Sequence, residues 1–223
     1  RVAKAIWRSK IPIKGLAVAT INEARCLREI DSDQSIVLLP GFINREELEE
    51  CSRLKLEPIV HSLFQIALLE ERELPCQFPC VWLKVTTGMN RLGFHEEDIV
   101  RVSNALEALP SLRDTELILM SHLAWGDAED EDACSFTAEQ LQRFAAAIDV
   151  LDHKGKSSLA ASTGILAYPE THFDIVRPGV MLYGSSPFDH IPSEELGLRP
   201  VMTLRSRVIA INELKAGDAI GYG

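Results

Sequence analysis

Hydrophobic and polar positions along the chain follow two patterns, which predict two kinds of element. Short runs of apolar and β-branched residues are separated by longer stretches in which apolar residues recur with helical spacing. Because the short runs are apolar on both faces, they are typical of strands that are covered on both sides. These predicted strands occupy residues 15–18, 35–39, 57–61, 81–85, 116–121, 158–162 and 179–183.

The longer stretches predict helices over residues 2–8, 22–30, 44–56, 61–72, 96–109 and 137–153. Asn22 and Asn44 occupy predicted N-cap positions, where a side-chain oxygen can accept a hydrogen bond from a free backbone N–H. Residues 137–140, Thr-Ala-Glu-Gln, match the capping-box pattern at the start of the last helix.

Repeated alternation of strand and helix predicts the α/β fold class, with a parallel sheet and helical crossovers. A closed (β/α)8 barrel and an open doubly wound sheet both have this order. An open sheet often carries a Gly-x-Gly-x-x-Gly loop after its first strand, and the sequence has none. We therefore expect a (β/α)8-type barrel. Seven strands are predicted, whereas the barrel has eight, and the chain begins with a predicted helix. We therefore expect the first strand of the barrel to be missing.

Beyond residue 198 the pattern changes to an alternation typical of β structure, over residues 200–212. The sequence thus predicts an incomplete barrel over residues 1–190, a linker over residues 191–199 and the start of a β-rich C-terminal domain over residues 200–223. Because two strands are not stable on their own, we expect the chain to be a fragment of a longer protein, cut at both ends.

Composition narrows the classes of partner. The chain is 46% hydrophobic and 25% charged, as globular proteins are, and its formal net charge of -10 disfavours nucleic acid. No apolar run reaches the roughly 18 residues that span a membrane, and the N-terminus lacks the apolar segment of a signal peptide.

The odd number of scattered cysteines indicates a reducing, cytoplasmic compartment. Cys76 and Cys80 lack the spacing of a redox motif and the further ligands of a zinc site, so no metal is expected.

Polar side chains that follow predicted strands are the candidates for chemistry, since barrels place their sites at the carboxyl ends of strands. Lys84 lies near the end of one strand, and Arg91 follows a glycine-containing turn. The pair suits a carboxylate or phosphate, because a guanidinium offers a planar fork of donors; the alternative is a lysine lying along apolar surface and a structural arginine. His122, after the strand at 116–121, is either a catalyst or a structural group.

Two later segments add an anion site. Ser162 lies among small residues, which let backbone N–H groups approach an anion, although the same composition suits an ordinary tight turn. Arg177 follows in apolar surroundings, where a guanidinium needs an acceptor. Together these segments have the pattern of the phosphate site formed by the last strands of such barrels.

Four segments resemble the bacterial alanine racemase family, in the same order and spacing. They are KVTTGMNRLGF at residues 84–94, SHLA at 121–124, ASTGIL at 161–166 and FDIVRPGVMLYG at 173–184. Residues 200–223, which end in GYG, resemble the start of that family's C-terminal β domain.

This resemblance implies a racemase, an isomerase of fold type III that binds pyridoxal 5′-phosphate in its barrel and interconverts L-alanine and D-alanine. The family is homodimeric and cytoplasmic, and it serves peptidoglycan precursor supply or alanine catabolism. Arg177 resembles the arginine at the cofactor's ring nitrogen. Ser162, with the backbone amides of Gly179 and Val180, resembles the phosphate site.

Three further residues match the family by the same resemblance. Arg91 matches the arginine at the cofactor phenolate and the substrate carboxylate. Lys84 matches a lysine that is often carbamylated, a change from a cation that repels Arg91 to an anion that pairs with it. His122 matches the histidine that links the ring-nitrogen arginine to the catalytic tyrosine. Thr86 stands where the family has Asp, so we expect altered hydrogen bonds in this loop.

Both catalytic bases of the family are missing from the sequence. The Schiff-base motif Lys-x-x-x-Tyr-Gly-His-Gly does not occur, and Tyr222, in the β segment, has a different setting from the catalytic tyrosine. We therefore expect the parent protein to be an alanine racemase and this chain alone to be inactive, because racemisation needs a base on each face of the substrate. A non-catalytic cofactor-binding relative, and a barrel racemase for another amino acid such as serine, remain open. Without the resemblance, the residues indicate a barrel enzyme with a phosphate-bearing ligand.

Overall fold

Six parallel strands form one sheet within residues 2–9, 11–31, 33–71, 77–128 and 130–222, which the computed structural model describes. The strands are β1 Gly15–Val18, β2 Ser35–Leu38, β3 Glu57–Val60, β4 Cys80–Lys84, β5 Glu116–Met120 and β6 Ser157–Ser158. The helices are α1 Val2–Arg8, α2 Ile21–Ile30, α3 Arg45–Arg53, α4 Leu63–Glu70, α5 Glu96–Glu107, α6 Glu131–Val150 and α7 Ser162–Ala167. The strands lie side by side in chain order, so the sheet is an incomplete (β/α) barrel of the predicted α/β class.

Both faces of the central strands are buried, as the apolar runs predict. On β4, Val81 and Leu83 belong to the large apolar cluster that includes the helices. Cys80 and Trp82 belong to a second cluster, formed by strand residues on the inner face. Because side chains alternate along a strand with a period of two, Lys84 lies on the same inner face as Trp82.

The amino ends of the strands hold a buried polar network. The Glu57 carboxylate, 2% exposed, accepts a hydrogen bond from Trp82 Nε1 at 2.8 Å and lies 3.8 Å from Lys14 Nζ. Two strands away, Glu116 pairs with Lys156 at 2.8 Å. Lys14 therefore offsets part of the cost of burying Glu57, whereas Glu116 is partly exposed.

The predicted strand at residues 179–183 is wrong. Residues Val180–Tyr183 form a 3₁₀ helix, and the position beside β6 is taken by the preceding residues instead. Ile175 N donates to Ser157 O at 3.2 Å, and Arg177 N donates to Ala160 O at 2.9 Å. Pro178 has no N–H to continue this pairing, so the chain turns away from the sheet at that point.

Two predicted helix starts are also wrong. Helix α6 begins at Glu131 and is capped by Asp130, whose side chain accepts from Ala133 N at 2.9 Å. Thr137 and Gln140 therefore lie inside the helix and do not form a capping box. Helix α2 is capped by Thr20, in a capping box with Glu23, and not by Asn22. The predicted cap of α3 is confirmed, since Asn44 caps it, although the helix ends at Arg53 and not at residue 56.

Residues 200–215 form neither a helix nor a strand, although their alternation predicts β structure. Leu204 is 101% exposed and Ile209 is 98% exposed. A strand needs a neighbour that supplies hydrogen bonds and an apolar face, and the described sheet offers none at this place. None of the helices in the described residues has the length and apolarity needed to cross a membrane.

Candidate active site

Basic side chains gather at the carboxyl ends of β4, β5 and β6. Lys84 is the last residue of β4, His122 follows β5 by two residues, and Arg177 ends the segment beside β6. The register pairs Lys84 with Met120 and Met120 with Ser158, so these strand ends are adjacent. The structure therefore brings together three of the residues that the sequence singles out.

Arg91 joins this group from the loop after β4. The loop returns to the strand it left, because Phe94 N donates to Lys84 O and Thr86 N donates to Phe94 O, each at 2.9 Å. Gly93 makes this return possible: its φ is +122°, and a Cβ there would lie 2.7 Å from Thr86 N. Arg91 itself is exposed and lines a cleft of about 260 Å³.

Thr86 shapes the loop that carries Arg91. Thr86 Oγ1 donates to Asn90 Oδ1 and accepts from Asn90 N, each at 3.0 Å. A neutral hydroxyl thus closes this turn one residue before Arg91.

Arg177 is fixed by acceptors from two strand ends. Its Nη2 donates to Ser121 O at 2.6 Å and to Leu159 O at 3.1 Å, and its Nη1 donates to Ser158 Oγ. These backbone carbonyls accept hydrogen bonds from some of the guanidinium N–H groups but do not neutralise the positive charge. Burial lowers the pKa of Arg177 to about 10, so the group stays cationic at neutral pH.

The electrostatics of the cluster follow from burial and like charge. Burial, followed by the charges of Arg177 and Arg91, lowers the pKa of Lys84 to about 8. Burial, followed by Arg177, Lys84 and Arg91, lowers the pKa of His122 to about 4. Among the residues that the structure describes, none of the four basic groups forms an ion pair with a carboxylate. Such a cluster suits an anionic ligand, which would supply the missing negative charge.

Ser162 and Gly179 lie together beside this cluster. Ser162 Oγ accepts from Gly179 N at 2.9 Å and from Met181 N at 3.5 Å. Val180, between those two amides, is 44% exposed. Space for a ligand exists at Gly179, since a Cβ there would meet only Ser162 Oγ, at 3.9 Å.

Three polar residues support the site although the sequence does not indicate this role for them. Ser121 and Ser158 contact Arg177, and the buried Gln140 contacts the loops after β4 and β5. The two serines continue strand runs and Gln140 lies in a helix, so no local pattern distinguishes them from ordinary core positions.

Cys80 lies away from the cluster. Cys80 is at the amino end of β4, opposite Lys84, and Cys76 lies outside the described residues. Burial and then Glu57 raise the pKa of the Cys80 thiol to about 12, so it stays protonated. The described part of the chain contains no group of three or more His, Cys, Asp or Glu side chains arranged to hold a metal ion.

Comparison with known proteins identifies the family. Residues 1–187 match the family model described as alanine racemase, N-terminal domain. The alanine racemase of Nitrosomonas eutropha is 42% identical over 209 residues, which are 94% of this chain and 56% of that protein. The alanine racemase structure from Acinetobacter baumannii has a TM-score of 0.77 at 31% identity, covering 93% of this chain and 56% of that one.

A third relative carries a ligand. The alanine racemase from Bartonella henselae, with covalently bound pyridoxal phosphate, has a TM-score of 0.67 at 27% identity, covering 86% of this chain and 54% of that one. The chain spans about half the length of the relatives it matches. Because the family model matches most of its residues, the chain belongs to the alanine racemase family.

Proposed function

We propose that this chain is the cofactor-binding part of an alanine racemase, an isomerase that interconverts L-alanine and D-alanine with pyridoxal 5′-phosphate. The observation that carries the proposal is the cluster of Lys84, Arg91, His122 and Arg177, which has no carboxylate partner among the described residues. The names of the relatives support alanine as substrate, and the Bartonella henselae structure supports pyridoxal phosphate as the anion.

The donor set fits this cofactor, which carries a phosphate ester, a phenolate and an aromatic nitrogen. Ser162 and the N–H groups of Gly179 and Val180 would hold the phosphate, with the Gly179 N–H turning from Ser162 Oγ to the ligand. Arg91 would bind the phenolate and the substrate carboxylate. Arg177 would donate to the ring nitrogen. When bound, the cofactor withdraws electrons from the α-carbon of the amino acid.

Arg177 would limit that electron withdrawal. A guanidinium that remains cationic donates a hydrogen bond to the ring nitrogen but does not transfer its proton. Arg177 would thereby keep the nitrogen unprotonated, which would favour simple proton exchange over other reactions of the same cofactor. The bonds from Arg177 to Ser121 O and Leu159 O would fix its direction.

His122 and Lys84 would complete the surroundings of the cofactor. With a pKa of about 4, His122 is neutral at physiological pH. By the family resemblance, it would link Arg177 to a catalytic tyrosine. With a pKa of about 8, Lys84 is roughly one-tenth uncharged at pH 7, and the free amine can add to CO₂. The new N–C bond forms as the amine loses a proton to water, and the resulting carbamate would pair with Arg91.

We further propose that the two bases for racemisation lie outside residues 1–223, so that these residues alone racemise nothing measurable. Residues 1–190 would form the cofactor barrel, residues 191–199 a linker, and residues 200–223 the start of a β-rich domain. The whole protein would be a cytoplasmic homodimer.

The test uses the full-length protein. We expect D-alanine to form from L-alanine, and borohydride reduction with pyridoxal phosphate to add one cofactor to the intact mass. Ser162→Ala should weaken cofactor binding, whereas Ser103→Ala, at a buried serine on α5, should not. Cofactor binding without turnover would contradict the proposed racemase activity and would indicate a non-catalytic relative. Turnover of serine and not of alanine would overturn the substrate.

A further inference from the structure

Gln140 of α6 connects the loops that follow β4 and β5. The side chain is 0% exposed. Its Oε1 accepts from Ala124 N at 2.8 Å, and its Nε2 donates to His122 O at 3.1 Å and to Thr87 Oγ1 at 3.2 Å. Both amide N–H groups and the amide oxygen are in use, so the side chain can adopt only one orientation without losing a buried hydrogen bond.

Thr87 extends these contacts to the third strand end. Thr87 Oγ1 lies 2.9 Å from Ser121 Oγ, and the carbonyl of Ser121 accepts from Arg177 Nη2 at 2.6 Å. A second residue of α6, Arg143, donates to Thr87 O at 3.4 Å. Helix α6 thereby holds the start of the loop that carries Arg91.

We propose that Gln140 is a positioning residue of the cofactor site, whose amide fixes the Arg91 loop and the His122 loop relative to each other. It acts through Thr87, through the backbone of His122 and through Ser121, and it contacts none of the ligand-binding atoms itself. Arg91 lies four residues after Thr87 in a closed loop, so a displacement of Thr87 also displaces Arg91. This inference rests on the proposed function.

Two substitutions separate the contacts of Gln140 in the full-length protein. Gln140→Leu keeps an apolar body of similar size and removes all three hydrogen bonds. Gln140→Glu keeps the acceptor for Ala124 N and loses both donors. We expect each variant to lower kcat for L-alanine by about 10-fold to 100-fold, since small displacements of positioned groups have effects of that order. The dissociation constant of pyridoxal phosphate, from titration of the apoprotein, should rise as well.

A matched control comes from the second buried glutamine, Gln65 of α4. Gln65 is also 0% exposed. Its Nε2 donates to Phe42 O at 3.2 Å and to Pro40 O and Ile59 O at 3.3 Å, and its Oε1 accepts from His61 N at 2.8 Å. It clamps the loops after β2 and β3, which carry none of the proposed ligand-binding residues. The loop after β3 includes His61, which lines the cleft beside Arg91, so Gln65→Leu should lower the melting temperature as Gln140→Leu does and change cofactor affinity and kcat less than Gln140→Leu does.

A second pair of variants tests the path through Thr87. Thr87→Ser keeps the hydroxyl and should keep kcat, whereas Thr87→Val removes it and should lower kcat as Gln140→Leu does. If Gln140→Leu changes cofactor affinity and kcat no more than Gln65→Leu, or if Gln140→Glu matches the wild type, the positioning role is wrong. A wild-type protein that neither binds the cofactor nor racemises alanine would instead contradict the proposed function.

Discussion

The charge states of Lys84 and His122 follow from their placement at adjacent strand ends. Both groups are largely buried, and each is close to Arg177 and Arg91, so proton binding to either adds a cation to a cationic cluster. Both pKa values are therefore lower than usual. At neutral pH the imidazole is uncharged, whereas Arg177 and most of the Lys84 side chains carry a positive charge.

Protonation of His122 should make the protein less stable in acid. Its pKa is about 4 in the folded protein and 6.5 normally, so protons bind the unfolded chain more tightly, and stability is lost as pH falls from about 6.5 towards 4. We expect a loss on the order of 2 kcal/mol, below the full shift because the side chain is partly exposed. In His122→Asn, urea unfolding at pH 7.5 and pH 4.5 should show this difference reduced. An equal difference in both proteins would contradict the assignment.

Arg177 should contribute to the low pKa of His122 by its charge. Arg177→Gln removes the charge, and we expect the pKa of His122 to rise part of the way from about 4, since burial is the larger cause. Arg177→Lys keeps a cation and should leave that pKa low. Histidine ring proton shifts followed by NMR during a pH titration distinguish the two. Equal titration curves of His122 in the Arg177→Gln and Arg177→Lys variants would mean that the charge of Arg177 does not affect the pKa of His122.

Elements are predictable from the sequence where the signal is local. The strands β1 to β5 fall within one residue of their predicted ends, because short apolar runs on both faces describe buried parallel strands. The start of α6 is misplaced, since Thr137 and Gln140 match a capping box that tertiary contacts override. Nor can a sequence pattern show that Gln140 contacts His122 O, because that partner comes from another loop.

The Asp130 cap of α6 should contribute to the stability of the protein. Asp130→Ala should destabilise the protein by about 1 kcal/mol, because the Ala133 N–H loses its acceptor. Asp132→Ala removes the same charge from the first turn without removing a cap and should cost less. Urea unfolding of both variants tests this, and equal losses would show that Asp130 acts through its charge alone.

Across the whole molecule, the exposed C-terminal segment adds little to the stability of the described sheet. Residues 201–222 are all exposed, and Val201 N donates a backbone hydrogen bond to Tyr183 O at 3.2 Å. A chain of residues 1–201 should therefore melt within about 2 °C of residues 1–223, since 1 kcal/mol corresponds to roughly 2–4 °C at this size. It should also aggregate less, because it lacks the exposed Leu204, Ile209 and Tyr222 side chains. A fall of more than about 5 °C would mean that the segment packs on the barrel.

The two buried glutamines have a consequence for the whole mouth of the barrel. An amide carries no titratable proton, so the bonds from Gln65 and Gln140 to the surrounding loops are the same in mild acid and in mild base. A clamp made of carboxylates would weaken as it gained protons. The charge at the strand ends can therefore change with pH without loss of the glutamine hydrogen bonds, so a pH–rate profile of the full-length protein should record proton binding at the strand ends and not release of these loops.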